Sequence, residues 1–212
     1  MAKRAGKQKT RIEDIRRVEL IEAAHRIFLR EGLRGLTTTR ICNEAGMSQG
    51  ILTYYFKDKD EVLFEMVRLA NGALMDEVVV NLRRATTRWE RLTAIIDGNF
   101  PTTEFRRNVA NAWISFYAEA GHNARYARLQ RLFYKRLRSN IASALVPFWP
   151  RDRIDHFVRG FAAMLDGFWL RRGHSDDDIS LEQAKFLLTE YTEKMLGEEM
   201  IAKLKAASLE TG

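Results

Sequence analysis

Gln49, Thr53 and Tyr54 are the residues of this chain best placed to hydrogen-bond a partner, because their segment reserves its apolar residues for the other side. Within residues 37–59, TTTRICNEAGMSQGILTYYFKDK, Leu52 and Phe56 lie four apart and form the inward stripe of a short helix. The polar and aromatic residues are left facing outward, as in a helix that docks into a DNA major groove. Gln49 and Thr53 are expected at base edges, since a glutamine carboxamide can bond adenine in a bidentate way. Acid–base or metal chemistry finds no comparable arrangement. Asp166, Glu119, His122, His156 and His174 fall on separate segments, with no HxxxH, HExxH or carboxylate–histidine spacing. There is no Gly-rich phosphate loop and no nucleophile elbow. The chain is therefore expected to be no enzyme and to carry no metal or organic cofactor.

The elements that must position these residues are short and well marked. Thr37 or Thr38 can cap a first helix by accepting an orphan N–H, and Ile41 and Ala45 give it one apolar face. Gly46 stands where the chain must leave that helix, a position often left-handed. Ser48 can cap the next helix, and Gly50 thins its first turn. Ahead of them, Leu20, Ala24, Ile27 and Phe28 follow helical spacing over residues 16–31, stopped by Gly32 and Gly35. These three helices make a DNA-binding domain over residues 1–60. A long helix from Lys59 to about residue 84 follows, with adjacent stripes Val62, Met66, Leu69, Ala73 and Leu63, Val67, Ala70, Leu74. An arc that wide must be covered on two sides, so this helix links the first domain to a second, residues 61–212. Helical periodicity continues to about residue 197, with Asp152 a cap for the penultimate helix and an acidic loop at Ser175, Asp176, Asp177 and Asp178. The fold expected is all-α, a three-helix domain joined to a C-terminal helical bundle.

Charge is uneven. The net charge is +7, yet residues 1–60 hold 13 Lys/Arg against 8 Asp/Glu, so +5 falls in the first 60 residues. That suits a polyanion partner. Residues 1 to about 14 are basic without periodicity and are expected to be mobile, either an arm that reaches DNA phosphates or a minor groove or a disordered tail with no role. The single cysteine, Cys42, is expected to be a small buried hydrophobe and not a nucleophile. No apolar run approaches the ~20 residues needed to span a bilayer, so no membrane is involved and a cytoplasmic location is expected.

Residues 37–59 resemble the helix-turn-helix of the TetR family, matching it at Thr37, Ile41, Ala45, Gly46, Met47, Ser48, Gly50, Phe56 and Lys59. Cys42 replaces the usual alanine and Thr53 the usual tyrosine. The resemblance implies that Thr38, Ser48, Gln49, Gly50, Thr53, Tyr54, Tyr55 and Lys59 line the DNA groove of a palindromic operator. It also implies a homodimer whose last two helices form a four-helix interface, with Phe161 and Leu188 inside it and the small Gly160 and Gly167 allowing close approach. The second half resembles one branch, the choline-responsive (BetI-like) repressors of betaine synthesis, at GNF (98–100), WISFYA (113–118), RLQR (128–131), RLRSN (136–140) and LDGFWLR (165–171). That branch implies a small-molecule effector, choline or betaine aldehyde. A quaternary ammonium is held by aromatic faces and a carboxylate. Trp113, Phe116, Tyr117, Phe168 and Trp169 are the available rings and Asp166 is an acid within an apolar stripe, although rings at this spacing more often build cores and Asp166 could equally pair with an arginine across the dimer interface. The alternative is a TetR-type repressor of an efflux or lipid-metabolism operon that answers to an apolar ligand.

Overall fold

A computed structural model describes residues 2–175 and 178–209, with side chains from residue 14 onward apart from 73 and 74. Its helices are α1 (Ala2–Glu31), α2 (Thr38–Ala45), α3 (Gln49–Tyr55), α4 (Lys59–Arg84), α5 (Arg88–Asn99), α6 (Arg107–Ala120), α7 (Ala124–Leu145), α8 (Arg151–His174), α9 (Leu181–Leu196) and α10 (Glu198–Ala206). No strand occurs among the described residues. The expected mobile arm is instead the first part of α1, which runs on from Ala2. Its side chains lie outside the described set, as do those of Ala73 and Leu74 on the α4 stripes, and Asp176 and Asp177 of the acidic loop. Gly197 breaks α9 from α10 with φ of 78°, so the polar C-terminal extension is a helix of its own. It packs on α5, and Leu209 N–H bonds the Thr86 carbonyl at 2.8 Å.

Local chemistry sets most boundaries. Thr37 accepts from Arg40 N–H, Asp58 from Glu61 N–H, and Thr87 and Ser180 complete capping boxes with Glu90 and Gln183. Two caps differ from expectation. Ser48 has the extended backbone of an N-cap, but its hydroxyl makes no capping bond. Pro150, not Asp152, is the N-cap of α8, and Asp152 lies in the first turn, where a carboxylate still meets the helix dipole.

Two hydrophobic clusters hold the subunit. The first joins α1–α3 to the start of α4 and to α6 and the start of α7, through Phe28, Leu52, Phe56, Met66, Trp113 and Phe116. The second holds α5 and α8–α10 around Phe100, Phe157, Phe161 and Leu188. Helix α4 passes from one to the other, with Val62 and Val67 in the first and Val78 and Leu82 in the second. Leu69, expected on a covered stripe of α4, is exposed in the subunit. Cys42 is buried, and burial pushes its thiol pKa up. Gly160 faces the subunit's own α9, where a Cβ would run into the Tyr191 hydroxyl, whereas Gly167 has open space around it. Phe161 and Leu188, expected between subunits, are 1% and 0% exposed within one subunit, because α8 and α9 pack their apolar stripes on each other.

Candidate nucleic-acid interface and ligand cavity

Helix α3 presents its outer face because Leu52 is anchored beneath it. The turn before it works because Gly46 adopts φ 65°, ψ 33°, the left-handed region that costs a glycine little. Ser48, Gln49, Gly50, Thr53 and Tyr54 are exposed. Thr38 and Tyr55 are half-buried, and Lys59, the first residue of α4, is exposed. All eight residues expected at DNA thus fall on α2, α3, the turn between them or the start of α4, none of them fully buried. Gln49 and Thr53 each hydrogen-bond a neighbour, and the Tyr54 and Tyr55 rings meet edge-on at 4.9 Å. Gln49 Nε2 donates to Thr39 Oγ1 at 2.9 Å, tying α3 to α2, and Thr53 Oγ1 donates to the Gly50 carbonyl at 3.1 Å. Thr39 has no sequence signal of its own, since its partnership with Gln49 needs the folded turn. The reading helices are clamped to α1 by Glu44, which accepts from Arg26 at 2.9 Å and Arg30 at 2.8 Å. Those bonds, Arg30's foremost, hold the Glu44 carboxyl down to about 2.

The C-terminal half contains a cavity of about 550 Å³ between α4, α5, α6, α7 and α8. Four of the five residues expected at the effector, Trp113, Tyr117, Asp166 and Trp169, line it. Phe116 does not. It is wholly buried behind the wall, with its ring 5.8 Å from Trp113 and 5.6 Å from Tyr126. The ring walls are fixed in place. Trp113 is held edge-on by Phe28, Phe116 and Phe133, and Trp169 by Phe105, while its indole N–H donates to the Asn99 carbonyl at 3.3 Å. Asp166 faces the cavity and is exposed within it, yet the surrounding protein desolvates it and raises its pKa to about 6. The same enclosure, together with the neighbouring Asp166 charge, raises Tyr117. Asn71 on α4 also contributes, and its side-chain oxygen is buried without a hydrogen-bond partner. Arg131, Phe133 and Tyr134 of α7 complete much of the remaining wall. Among the described residues no group of three or more His, Cys, Asp or Glu could hold a metal ion, and no helix is long and apolar enough to cross a membrane.

Both halves match known families. Residues 20–66 match the model of bacterial regulatory proteins of the tetR family, and residues 88–197 that of the BetI-type transcriptional repressor C-terminal domain. The chain is 34% identical over 191 residues to the HTH-type transcriptional regulator BetI of Cronobacter sakazakii, covering 89% of this chain and 94% of that protein. It is 32% identical to the Rhizobium meliloti regulator of the same name, covering 86% and 90%. A transcriptional regulator from Saccharomonospora viridis, solved in complex with choline, superposes with a TM-score of 0.71 at 22% identity, covering 84% of this chain and 95% of that one. A Pseudomonas aeruginosa regulator superposes at 0.76 with 21% identity, covering 90% and 94%. The proteins so matched are regulators and not enzymes. With a helix-turn-helix at one end, a ring-lined cavity at the other and matching family models across both, the chain belongs to the TetR family of bacterial transcriptional regulators, in its BetI-type repressor branch.

Proposed function

We propose that this protein is a homodimeric repressor of choline and glycine betaine metabolism genes, whose hold on a palindromic operator changes when a small quaternary-ammonium cation enters the cavity. Residues 1–60 read the DNA, and residues 61–212 bind the effector and dimerise. The observation that carries this reading is the meeting of Asp166 with Trp113, Tyr117 and Trp169 on one cavity. A cation that cannot donate ordinary hydrogen bonds is held by such faces, each worth about 0.5–2 kcal/mol when desolvated. The choline complex of the S. viridis regulator supports the same ligand class.

The cavity also adjoins the reading domain. Trp113 meets Phe28 of α1 edge-on, with centroids 6.0 Å apart, and Ser115 Oγ accepts the Leu33 N–H at 3.1 Å. A ligand seated on Trp113 therefore favours one setting of α1 over another, and the effect on DNA is a shift between settings that differ in ligand affinity. The test is fluorescence anisotropy on a DNA fragment from upstream of the gene. Operator affinity should change with saturating choline, and an affinity indifferent to choline would overturn the effector assignment.

Lys59 checks the docking independently. On the exposed first turn of α4 it should neutralise one phosphate, so Lys59→Ala should weaken all sequences alike and reduce the salt slope by about one unit. An unchanged affinity and slope would place the DNA elsewhere.

A further inference from the structure

A separate cleft of about 750 Å³ lies between the end of α1 and the start of α6. Arg30, Arg34, Arg106, Arg107 and Arg172 line it, and Glu31 is the acid among its lining residues. That acid is already engaged by Arg40, whose Nη2 donates to it at 2.6 Å. Arg30 is drawn away by Glu44 at 2.8 Å, and Arg172 donates its Nε–H to the Phe105 carbonyl at 3.2 Å. Arg34, Arg106 and Arg107 are exposed and have no ion-pair partner among the described residues. The 14-residue helix α6 starts in the same cleft, with Arg106 at its N-cap and no side chain capping it. Its dipole adds positive potential where three guanidinium groups already lack a counter-charge.

We propose that this cleft binds a small phosphate-bearing metabolite with at least two negative charges, and that its occupancy sets how the reading domain sits on α6. Guanidinium groups match phosphate oxygens in a bidentate fork, and the cleft has the size of a small-molecule site and not of a duplex. Its walls come from both domains, Arg34 from the turn after α1 and Arg106 and Arg107 from α6 and its cap. They are bridged by the Leu33–Ser115 hydrogen bond and by Asn108 Nδ2 donating to the Leu29 carbonyl at 3.4 Å. An anion spanning them adds a link that depends on the domain angle, which is the requirement for coupling to DNA. The coupling rests on the repressor reading; the anion site does not.

The probe is inorganic pyrophosphate, titrated into the full-length protein by calorimetry at constant ionic strength, with KCl as control. Binding should saturate at one anion per subunit. The double variant Arg106→Gln, Arg107→Gln should lose about tenfold or more in affinity while keeping its helicity and its choline affinity. Lys59→Ala, on the reading face, should bind pyrophosphate normally. Saturating pyrophosphate should shift operator affinity about threefold or more in the wild type and leave the double variant unchanged. A non-saturating response, or equal binding by the double variant, would mean diffuse attraction to a basic protein and overturn the site. Operator binding indifferent to bound pyrophosphate would overturn the coupling. A double variant that loses operator affinity and salt slope without pyrophosphate would make these arginines DNA ligands and end the proposal. The calorimetric arm needs no DNA, so its failure is distinct from failure of the repressor reading.

Discussion

Phe186→Glu should convert the protein to a folded monomer and cost it about a hundredfold or more in operator affinity. Phe186 is 65% exposed on α9, beside Leu187 at 40%, and on α8 Leu170 is 43% exposed near the open Gly167. A chain that left these in water would carry an apolar patch without use, and a second copy of the same surface is the occupant that a palindrome reader requires. Burying one phenylalanine ring removes on the order of 150 Å² from water, about 4 kcal/mol at 25 cal/mol per Å². Twofold symmetry places the substitution twice in the same interface, so a single change counts double. The monomer then loses the avidity that links two half-sites, a factor of about 10²–10⁴. Phe161→Glu and Leu188→Glu serve as contrasts: both side chains sit in the core of the single subunit, so these variants should lose helicity as well. Light scattering together with circular dichroism separates the two outcomes. A wild type that is monomeric at micromolar concentration, or a Phe186→Glu protein that stays dimeric with full operator affinity, would sink the assignment.

The residues legible in the sequence are those governed by local rules. Thr37 and Asp58 act as caps, Gly46 turns left-handed, and Leu52 and Phe56 point inward because a few neighbouring residues decide each outcome. Ser48 shows the limit, since its backbone obeys the rule while its hydroxyl stays uncommitted to the cap. Pro150 takes the place expected for Asp152 because the ring that fixes φ also ends the preceding turn. The cavity is partly legible. Trp113 and Tyr117 are four apart on α6, and Asp166 and Trp169 three apart on α8, so each pair shares a helix face. Phe116 flanks Trp113 on the other side, and periodicity cannot say which flank a neighbouring helix covers. Tyr126 of α7 decides it, packing its ring against Phe116 behind the wall. The contributions of Asn71, Arg131 and Tyr134 are not legible, because they line a wall only once α4 and α7 are set against α8. The same limit misplaces Gly160, which serves contact with the chain's own Tyr191.

Asp166→Asn should weaken choline by roughly tenfold to a hundredfold, remove the pH dependence of its binding and leave DNA affinity intact. A carboxylate about 5 Å from the ammonium contributes about 3 kcal/mol at an effective dielectric of ~20, and water in an open cavity reduces this. Every factor of ten is about 1.4 kcal/mol. The carboxyl, raised to about 6 by desolvation, holds a proton in the empty cavity below that pH. A cation prefers the ionised form, so choline affinity should be flat above about pH 7 and fall as pH drops through 6, roughly tenfold by pH 5. The other charged or titratable groups on the wall are Tyr117 from α6 and Arg131 and Tyr134 from α7. Burial and the neighbouring Asp166 charge push Tyr117 up, away from the range in which the carboxyl titrates. The sign for stability is opposite. A carboxyl whose folded pKa lies above its unfolded value of 3.8 costs the fold nothing below that value and its full penalty above about 6. Asp166→Asn should therefore raise the melting temperature at about pH 7.5 while lowering choline affinity, the exchange expected of a residue kept for binding. Calorimetry with choline and with its uncharged carbon isostere, 3,3-dimethylbutan-1-ol, separates charge from shape, because both bury the same methyl groups. Wild type should prefer choline strongly, and Asp166→Asn should narrow the gap. Equal affinities of the wild type for the two ligands would mean an apolar pocket, and the effector would then be the hydrophobic ligand of an efflux or lipid-metabolism repressor.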